Sequence, residues 1–448
     1  MCSLQRFLDE HPLVEEVELL VPDLAGIPRG KRVHLAAARR AFAGGLRLPS
    51  TLYSVDTSGN NVDASPLVWS EGDADRPLAL DPATLAPVPW SPGRAQAIGG
   101  LTEEGGEPFY ADPRAALGAL ERRLEARGLL PVVAFELEFY LLDGELDAAG
   151  RPQLPVSRRH GGRSRAVEVY SLERLEEEGE FLSTLQRFLD AQGIAAEAAV
   201  AEFAPAQFEV NLEHQRGAVA AADRAFAFKR CVKAAARAVG RRATFMAKPF
   251  QELAGSGMHV HLSLADGCGV NRFAEEEGGG RLMARAVAGM LALMASSMLF
   301  FAPNANSYRR LRPLSYAPTS ACWGFNNRTV AVRIPAGEAD ARRIEHRVAG
   351  ADANPYLVLA AILAGVLFGL EHGLEPPEPV TGNAYRLQHD LPLSWGEALA
   401  SFRAASKQLR DYFDPRLLEL YDTVRATERE RFAAEVPETD YRWYLALV

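Results

Sequence analysis

The chain has 448 residues, of which 48% are hydrophobic and 24% are charged. This length and balance are typical of a globular enzyme that is large enough to form two or more domains. The formal net charge of −9 gives no indication of nucleic-acid binding or of attraction to an anionic membrane. It does not exclude small anionic substrates, because a local group of arginines can oppose the net charge.

The start of the chain and its most apolar stretches predict a cytoplasmic protein. The opening stretch MCSLQRFLDEHPLVEEVELL lacks a basic region followed by an apolar core, so no signal peptide is expected. The apolar runs near Met290–Pro303 and Leu357–Leu370 are shorter than the roughly 20 residues that a bilayer needs, and they are predicted to be buried helices. The four cysteines are scattered, without a CxxC pair, and this predicts reduced thiols.

The first hundred residues look poor in strands. They are rich in Pro and Gly, and only Val14–Asp23 has the β-branched content of a strand. The Pro- and Gly-rich stretch Pro87–Gly106 predicts a domain boundary. We therefore predict a small N-terminal domain over residues 1–105 and a larger catalytic domain over residues 106–448.

Beyond this boundary, short strands are predicted to alternate with amphipathic helices. Asp112 is the predicted N-cap of a helix that begins with Pro113 and stops at Gly128, and Asn354 with Pro355 predicts the start of another helix. Periodicity and composition indicate the remaining segments. Strands are predicted over Val132–Leu142, Ala206–Leu212, Thr244–Phe250, Met258–Leu264 and Val330–Pro335. Helices are predicted over Glu180–Gly193 and Ala218–Gly240, and irregular structure is predicted over Gly144–Arg165 and Ala274–Gly280.

The segment FELEFY places two carboxylates side by side. Alternate residues of a strand share a face, so Glu136 and Glu138 point the same way while apolar side chains fill the other face. The segment AEFAPAQFEVN also carries two carboxylates. Glu209 lies on the polar face of the predicted strand, and Glu202 precedes it. Carboxylates this close repel one another unless a cation or water separates them. Taken alone, each segment is more typical of a solvated strand face than of a metal site.

The segment GSGMHVH places two imidazoles on one strand face. His259, His261 and Ser263 share that face, and neutral imidazoles two residues apart are common at metal and phosphate sites. The preceding glycines, Gly255 and Gly257, allow the backbone to come close to a ligand. A purely structural role is an equally good interpretation of the histidine pair when it is taken alone.

The segment RRIEHR places one carboxylate between two guanidinium groups, since Arg343, Glu345 and Arg347 share strand parity. Further arginines precede it, at Arg309, Arg310, Arg312, Arg328 and Arg333. The planar fork of Arg suits phosphate and carboxylate oxygens, so this density in an acidic chain predicts an anionic ligand such as a nucleoside triphosphate. A structural ladder of ion pairs is the alternative.

Together these segments offer five carboxylates and at least one imidazole, a set that suits Mg²⁺ or Mn²⁺ better than Zn²⁺. Metal ions beside arginines are the apparatus of phosphoryl transfer, which needs charge neutralisation and positioning. The sequence has neither a Walker-type GxxxxGK[ST] motif nor a Rossmann GxGxxG motif after a strand. ATP is therefore expected to be bound by other means.

These residues resemble the glutamine synthetase family, and the similarity runs in order over nearly the whole chain. It is carried by VPDLAGIPRGKRV, FELEFY, AEFAPAQFEVN, the Lys248-Pro249 turn, GSGMHVH, NSYRRL, WGFNNRTVAVRIP, RRIEHR and ADANPYLVLAAILAG. The resemblance implies an α+β fold with a small N-terminal β-grasp-type domain and a large catalytic domain, in which helices flank a curved antiparallel sheet. It also implies a homo-oligomer, namely a dodecamer of two hexameric rings with active sites between subunits.

The resemblance also assigns roles to individual residues. One metal ion would be held by Glu138, Glu202 and Glu209, and the second by Glu136, His259 and Glu345. ATP would contact His261, Ser263, Arg333 and Arg343. The glutamate carboxylate and the transferred phosphoryl group would be handled by Arg310, Arg328 and Arg347, with Gly255 next to the substrate. In the family's reaction the γ-carboxylate of glutamate is phosphorylated, and nitrogen then attacks the acyl phosphate.

Two departures from the family pattern predict an organic amine in place of ammonia. Glutamine-forming members carry a Glu in the flap pattern PGxEAP, whereas Tyr316 stands at that position here, and Ala254 replaces an Asn before GSG. Loss of the carboxylate weakens the binding and deprotonation of a small cation. LSYAP, RRIEHRVAGADANPY and DYRWYL resemble the γ-glutamylpolyamine synthetase branch, which uses putrescine-like or related amines. Asp56 in VDTSG, supplied by the adjacent subunit, is then the candidate that takes the amine proton.

Three other interpretations are compatible with the sequence. The first is an ordinary glutamine synthetase that uses ammonia. The second is a catalytically silent family member with a structural or regulatory role, which would be expected to have lost metal ligands, although all six are present. The third is an ATP-independent metalloprotein, which would leave the arginine density unexplained. The expected ligands are L-glutamate, a small amine, ATP and Mg²⁺ or Mn²⁺.

Overall fold

The computed structural model describes residues 3–159, 161–163, 166–274 and 279–448. These residues form two β-sheets with helices packed around them, which is the α+β architecture that the resemblance implies. The strands of the described residues are β1 Glu16–Pro22, β2 Pro28–His34, β3 Arg47–Pro49, β4 Asp75–Leu80, β5 Ala86–Pro87, β6 Arg94–Leu101, β7 Leu130–Asp143, β8 Ala196–Ala201, β9 Gln207–Leu212, β10 Gln215–Arg216, β11 Arg241–Thr244, β12 Met258–Ala265, β13 Trp323–Phe325, β14 Val332–Ile334 and β15 Ile344–His346.

The helices of the same residues are α1 Ser3–Glu10, α2 Leu35–Phe42, α3 Pro113–Glu125, α4 Leu172–Glu177, α5 Gly179–Ala191, α6 Ala218–Ala238, α7 Gly279–Phe301, α8 Pro355–His372, α9 Trp395–Ala404, α10 Ser406–Leu409, α11 Pro415–Ala434 and α12 Glu438–Tyr444. The predicted caps are confirmed. The Asp112 carboxylate accepts hydrogen bonds from the first backbone N–H groups of α3, and Asn354 does the same for α8. The helices predicted over Glu180–Gly193 and Ala218–Gly240 are confirmed as α5 and α6.

The first sheet is formed by strands from the beginning of the chain. Its order is β2–β1–β6–β4–β3, with β5 paired to β6. The strand predicted over Val14–Asp23 is confirmed as β1, but the expectation that this region is poor in strands is wrong. Strand β2 is charged and mostly exposed, so it lacks an apolar face. Strand β6 runs through the Pro- and Gly-rich stretch, where Gly99 is needed because a Cβ there would lie 2.3 Å from the carbonyl oxygen of Ala79.

The second sheet carries the candidate site. Its order is β13–β14–β15–β12–β7–β9–β8, with β10 and β11 also paired to β7, and its neighbours are antiparallel except for the parallel pair β13 and β14. The predicted strands are confirmed as β7, β9, β12 and the shorter β14. The strand predicted over Thr244–Phe250 is wrong, because β11 ends at Thr244. Beyond it the backbone N–H of Lys248 donates to Asn306, at 2.8 Å, and not to a neighbouring strand.

The two predicted irregular segments are only partly described. The described residues between 144 and 171 form neither helix nor strand, as predicted for 144–165. Residues 160, 164, 165 and 275–278 lie outside the described residues. The prediction is wrong for residues 279 and 280, which begin α7.

The two most apolar helices, α7 and α8, pack against each other. Both are long and apolar enough to cross a membrane by length and composition, so the expectation that these apolar runs are too short is wrong. Most of each helix is buried inside the protein, as predicted. The helices approach closely at glycines, since a Cβ at Gly289 would lie 2.0 Å from the carbonyl oxygen of Gly365 and one at Gly369 would lie 1.9 Å from that of Arg285.

Buried and partly buried polar contacts join the regions of the two sheets. Arg114 at the start of α3 forms ion pairs with Asp223 of α6, at 2.8 Å, and with Asp81 after β4. The amide of Asn354 donates to the carbonyl oxygen of Asp23 at 2.9 Å. Apolar residues of both regions also belong to one continuous core. The division into domains 1–105 and 106–448 stays a prediction, and these contacts tie its two parts together.

Replacing Gly289 by Ala is expected to destabilise the protein, because the added methyl group would collide with the backbone of α8. Overpacking of a close-packed interior typically costs about 1–3 kcal/mol, which differential scanning calorimetry would detect as a lower melting temperature. Gly280→Ala is the matched control on the same helix, since a Cβ there meets nothing within 4 Å. Equal melting temperatures for the two variants would contradict the close helix contact.

Candidate active site

One face of the second sheet gathers carboxylates and imidazoles from several strands. Along β7 the residues from Leu130 to Phe139 alternate between partly exposed and buried positions, and Glu136 and Glu138 lie on the partly exposed face, as the alternation predicts. Strand register then sets their neighbours. His259 of β12 is paired with Glu136, and Glu209 of β9 is paired with Glu138. Directly opposite residues of antiparallel strands have Cβ atoms about 5 Å apart, so these side chains share one patch.

Glu136 lies at the centre of this patch. Its Oε1 is 2.9 Å from Nε2 of His261, and its Oε2 is 3.4 Å from Nδ1 of His259. Among the described residues, two sets of side chains bring metal-binding atoms within 4.8 Å of one another, and both include Glu136: one adds Glu209 and His259, and the other adds His261 and Glu345. We call the whole group the Glu136 cluster, consisting of Glu136, Glu138, Glu202, Glu209, His259, His261 and Glu345.

The two sets divide the residues differently from the trios that the resemblance implies. His261 takes the place of His259 beside Glu345, and His259 joins Glu209. Glu138 lies outside both sets, with its Oε1 3.8 Å from Nε2 of His259. The assignment of ligands to two separate ions therefore stays a prediction.

Burial and mutual repulsion keep protons on two of these carboxylates. Burial raises the pKa of Glu209 to about 9, and the charge of Glu136 adds to the effect. Burial likewise raises the pKa of Glu202 to about 7, with the charge of Glu138 adding to it. Burial opposes ionisation of Glu136 as well, but hydrogen bonds from the two imidazoles more than offset it, so the pKa of Glu136 lies below its usual range. The cluster thus contains more carboxylate than its surroundings neutralise, which is the condition that a bound cation relieves.

Glu138 is tied to the glycine-rich loop that precedes β12. Its Oε2 accepts a hydrogen bond from the backbone N–H of Gly257 at 2.8 Å and one from the amide of Gln207 at 3.3 Å. The same amide donates to the carbonyl oxygen of Gly255 at 3.0 Å. Sequence reasoning gave Gln207 no role, although its shared parity with Glu209 on β9 was the signal that could have identified it.

Glu345 is buried between two arginines. Arg333 donates to its Oε2 at 2.7 Å, and Arg347 forms an ion pair with its Oε1. Burial opposes ionisation, but the charges of Arg347 and the nearby groups prevail and lower the pKa of Glu345. Arg343 contacts His261, and its Nε lies 3.0 Å from Nδ1 of the imidazole. The segment RRIEHR thus contains both predicted alternatives, an ion-pair ladder at Glu345 and a separate arginine beside the imidazoles.

Arg310 lies buried beneath the glycine-rich loop. Its guanidinium donates to the carbonyl oxygens of Val348, at 2.8 Å, and Arg347, at 3.3 Å. A Cβ at Gly255 would lie 2.7 Å from Cγ of Arg310, and a Cβ at Gly257 would lie 2.6 Å from its Nη2. The glycines are therefore needed for the close approach of this arginine, whereas the sequence predicted the close approach of a ligand.

A cavity of about 640 Å³ opens beside the cluster. Its walls include Glu136, His261 and Ser263 from the sheet and Arg343 from the loop before β15. Sequence reasoning did not single out other residues of the lining, among them Glu197, His214, Arg216 and Asn271. Pockets for small molecules and cofactors commonly measure about 300–1,000 Å³, so this one is large enough for a nucleotide.

Three predicted site residues make no contact with the Glu136 cluster among the described residues. Tyr316 is 56% exposed and has a φ of 57°, a left-handed conformation that is uncommon for a bulky residue. Arg328 is exposed in the turn after β13. Asp56 is buried, and Nη1 of Arg431 lies 2.5 Å from its Oδ2.

This geometry defines a class of site in which carboxylates, imidazoles and arginines surround a nucleotide-sized cavity, as in enzymes that handle phosphate with metal ions. Comparison with known proteins gives the family. The family model described as the glutamine synthetase catalytic domain matches residues 110–444. The chain belongs to the glutamine synthetase family, and it is a ligase that forms C–N bonds.

Several relatives are similar over nearly their whole length. The gamma-glutamylputrescine synthetase PuuA of Escherichia coli is 40% identical, with 99% of this chain and 94% of that protein covered. The glutamate–isopropylamine ligase of a Pseudomonas species is 33% identical, with 100% and 98% covered, and the gamma-glutamylethanolamide synthetase of Streptomyces coelicolor is 34% identical, with 96% and 92% covered.

Solved structures confirm the fold. The apo structure of GmaS without ligand superimposes with a TM-score of 0.86 at 27% identity and covers 100% of both chains. A complex of GmaS with ADP gives a TM-score of 0.85 at 26% identity, with 99% of this chain and 100% of that chain covered. The glutamine synthetase-like α+β fold that the resemblance implies is therefore confirmed.

In metal-free solution, Glu209 is expected to make the protein less stable as the pH rises from the ordinary glutamate pKa of 4.5 towards about 9. In this range the folded chain holds a proton on Glu209 that the unfolded chain has released, so a rising pH favours unfolding. Glu209→Gln removes the titrating group and should flatten the dependence of the melting temperature on pH, measured in a chelating buffer.

Glu213→Gln is the control for this comparison, because Glu213 follows the same strand but is exposed. It should keep the pH dependence of the unaltered protein. The same slope in Glu209→Gln as in the unaltered protein would show that Glu209 does not hold this proton.

Proposed function

We propose that the chain catalyses the ATP-dependent ligation of the γ-carboxylate of glutamate to an organic amine. This proposal rests on one observation: the Glu136 cluster lies beside a cavity that is lined by His261, Ser263 and Arg343. Phosphoryl transfer depends on charge neutralisation and positioning, and this arrangement supplies groups for both. The names of the three relatives also support it, since each describes joining a glutamyl group to an amine.

Two divalent ions, Mg²⁺ or Mn²⁺, are the proposed metal cofactors. The proposed ligands are Glu138, Glu202 and Glu209 for one ion and Glu136, His259 and Glu345 for the other. The raised pKa values of Glu202 and Glu209 support a cation at the first site, because a positive charge would take the place of the retained protons. When bound, the metal ions neutralise charge on the phosphoryl oxygens. At the second site His261 is a further candidate, since it lies closer to Glu136 than His259 does.

ATP is proposed to occupy the cavity beside the cluster. His261, Ser263 and Arg343 line it, and the guanidinium of Arg343 brings positive charge to the place where phosphates would lie. Arg333 is proposed to contribute from its position on Glu345. The complex of the structural neighbour GmaS with ADP supports a nucleotide site in this fold.

The proposed reaction has two steps. An oxygen of the glutamate γ-carboxylate attacks the terminal phosphorus of ATP, which gives γ-glutamyl phosphate and ADP. The amine nitrogen then attacks the γ-carbonyl carbon, loses a proton and displaces phosphate. Arg310, Arg328 and Arg347 are proposed to hold the glutamate carboxylate and the transferred phosphoryl group, with Gly255 next to the substrate. Arg310 and Arg347 are buried, so water screens their attraction for anions only weakly.

The proposed nucleophile is an organic amine because of two side chains at positions that the family pattern assigns to the ammonia site. Tyr316 supplies an aromatic ring where glutamine-forming members carry a carboxylate, and Ala254 leaves room where they carry an Asn. An aromatic ring and a small residue suit the apolar body of an amine better than a bare ammonium ion. Putrescine, spermidine and monoamines are all compatible with this chemistry, and the relatives act on amines of more than one kind by name.

Asp56 is proposed to accept the amine proton in the site of a neighbouring subunit. Within one chain it contacts Arg431 and, among the described residues, has no contact with the Glu136 cluster. A role in catalysis therefore calls for a second copy of the chain, which supports a homo-oligomer with active sites between subunits, proposed to be a dodecamer of two hexameric rings. The cytoplasm, where ATP and amines meet, is the proposed location.

The ammonia-using glutamine synthetase and a catalytically silent family member are the competing functions. An amine panel in an ATP-dependent phosphate-release assay separates them from the proposal. We expect kcat/KM for putrescine or another organic amine to exceed that for ammonium by at least about tenfold. Equal or better use of ammonium would favour an ordinary glutamine synthetase, and no phosphate release with any amine would favour the silent member.

Tyr316→Glu tests the flap more directly. Restoring a carboxylate should improve the use of ammonium relative to the organic amine, because an anion there favours a small cation. Tyr316→Phe keeps the ring and is the matched control, expected to retain the preference for the organic amine. The same amine profile in Tyr316→Glu as in the unaltered protein would contradict a role of this residue in choosing the nucleophile.

Binding of Mg²⁺ is expected to tighten as the pH rises from about 6 to about 8.5, because metal ligands must release their protons. The gain should approach about tenfold per pH unit for each displaced proton below its pKa. Calorimetric titration at constant ionic strength measures it. Glu209→Gln should weaken binding and reduce its pH dependence, whereas Glu213→Gln should change neither. Affinity that does not vary with pH would contradict metal binding at Glu202 and Glu209.

A further inference from the structure

The turn that carries Asp56 is held by α11, a helix from the far end of the chain. Arg431 of this helix donates to Oδ2 of Asp56 at 2.5 Å and to the carbonyl oxygen of Asn61 at 2.9 Å. Glu428, one helical turn earlier, accepts hydrogen bonds from the backbone N–H of Thr57, at 2.5 Å, and from its hydroxyl, at 2.7 Å. Both ends of the turn are therefore fixed to the same helix.

Glu428 is itself held from the inside of the protein by Arg425. This arginine is only 1% exposed, and its Nη1 lies 2.8 Å from Oε2 of Glu428. Its guanidinium also lies over the ring of Tyr421, 5.3 Å from the centre. A buried ion pair generally adds little stability, because desolvation offsets the attraction and apolar residues of similar volume serve as well. The pair is therefore better explained by the turn that it orients than by its contribution to stability.

The surroundings of Asp56 favour one orientation and the ionised form. Its Oδ1 accepts hydrogen bonds from the hydroxyl of Ser58, at 2.7 Å, and the backbone N–H of Asn60, at 2.9 Å. Burial opposes ionisation, but these two hydrogen bonds together with Arg431 prevail and lower the pKa of Asp56.

Among the described residues, charged groups face this turn from α11 and from β2. Arg431 and Glu428 reach it from α11, and Arg29 reaches it from β2, with its Nη1 3.5 Å from the place of a Cβ at Gly59. Arg29 is itself paired with Asp23 at 2.9 Å, which leaves Arg431 as the cation that contacts the Asp56 carboxylate.

We propose that Arg431 and the Arg425–Glu428 pair are positioning residues, which hold Asp56 as an ionised carboxylate that receives the ammonium form of the amine. This inference rests on the proposed function, in which Asp56 accepts the amine proton. An ionised carboxylate attracts the protonated amine and takes one proton from it, which frees the lone pair of the nitrogen. The neutral nitrogen then attacks the γ-carbonyl carbon of γ-glutamyl phosphate, the bond from that carbon to the phosphate oxygen breaks, and the departing phosphate takes the second nitrogen proton. The side chain of Asp56 is 5% exposed and that of its partner Arg431 is 41% exposed, so an incoming amine reaches the buried carboxylate from the side of Arg431.

Arg431→Gln tests the proposal. It should raise the KM for the amine by about tenfold, the usual effect of losing one charged hydrogen bond, and change the KM values for glutamate and ATP by less than about twofold. The acid limb of the pH profile of kcat/KM for the amine should move to higher pH, because the guanidinium no longer lowers the pKa of Asp56. Arg431→Lys keeps the charge and should restore most of both effects. Arg429→Gln is the matched control, since Arg429 is exposed on the same helix.

Two further variants separate the possible failures. Asp56→Ala should raise the amine KM, and an unchanged value would overturn the proposed role of Asp56 itself. Thr57→Val removes only the hydroxyl contact with Glu428 and should give a smaller rise than Arg431→Gln. If Asp56→Ala raises the amine KM while Arg431→Gln and Thr57→Val both behave like Arg429→Gln, the positioning proposal alone is overturned. If Arg431→Gln does not fold, Thr57→Val alone decides in the same way. Loss of the proposed function would appear instead as no amine-dependent phosphate release by the unaltered protein.

Discussion

Repulsion between half-buried carboxylates on one face of a β-sheet is the constraint around which the site is organised. Backbone pairing fixes Glu136 and Glu138 on β7 and places Glu209 of β9 opposite Glu138, so the backbone positions of these residues cannot separate without breaking the sheet. Each carboxylate must therefore be ionised beside a donor or keep its proton. Glu136 has two imidazoles, and its pKa is lowered. Among the described residues, the neutral amide of Asn211 is the hydrogen-bond donor to Glu209, at 3.2 Å, and the pKa of Glu209 is raised. Strand register thus creates the demand for positive charge that the proposed metal ions meet.

Buried arginines supply positive charge beside the same cluster. The guanidinium of Arg310 donates hydrogen bonds to backbone carbonyl oxygens. The glycines next to it have no Cβ that would collide with the side chain. Arg347 is the exception, because it is committed to Glu345. A guanidinium held by neutral carbonyl groups keeps its full charge available to an anionic substrate, whereas one paired with a carboxylate does not. By this reasoning Arg310 is better placed than Arg347 to act on a glutamate carboxylate or a phosphoryl group.

The sequence predicts the parts of the fold in which one face of a strand is buried and the other is polar. Alternation identified β7, β9 and β12, together with the side chains that they present, because a buried face imposes period two on the pattern. It missed β2 and β6, since one is exposed and charged and the other contains glycines where another backbone passes close by. The alternation also could not predict which candidate metal ligands lie together. Cross-strand register puts His259 opposite Glu136 and His261 opposite Glu345, and periodicity within a single strand carries no information about register.

The contacts of the turn at Asp56 also could not be predicted from the sequence, because they join residues that are far apart along the chain. Its partner Arg431 lies 375 positions further along the chain, and nothing in the segment VDTSG points to a helix near the other end. The family resemblance alone singled out this carboxylate, and it said nothing of what holds it. In the proposed oligomer the sheet of one subunit binds the phosphorylated glutamate, while α11 of the next subunit orients the carboxylate that receives the amine. Substitutions in α11 should then alter the choice and binding of the amine at a site to which that helix contributes no ligand. No α11 residue lines the cavity of its own chain among the described residues, and the contact of Arg431 with Asp56 is the route by which such an effect would reach the chemistry.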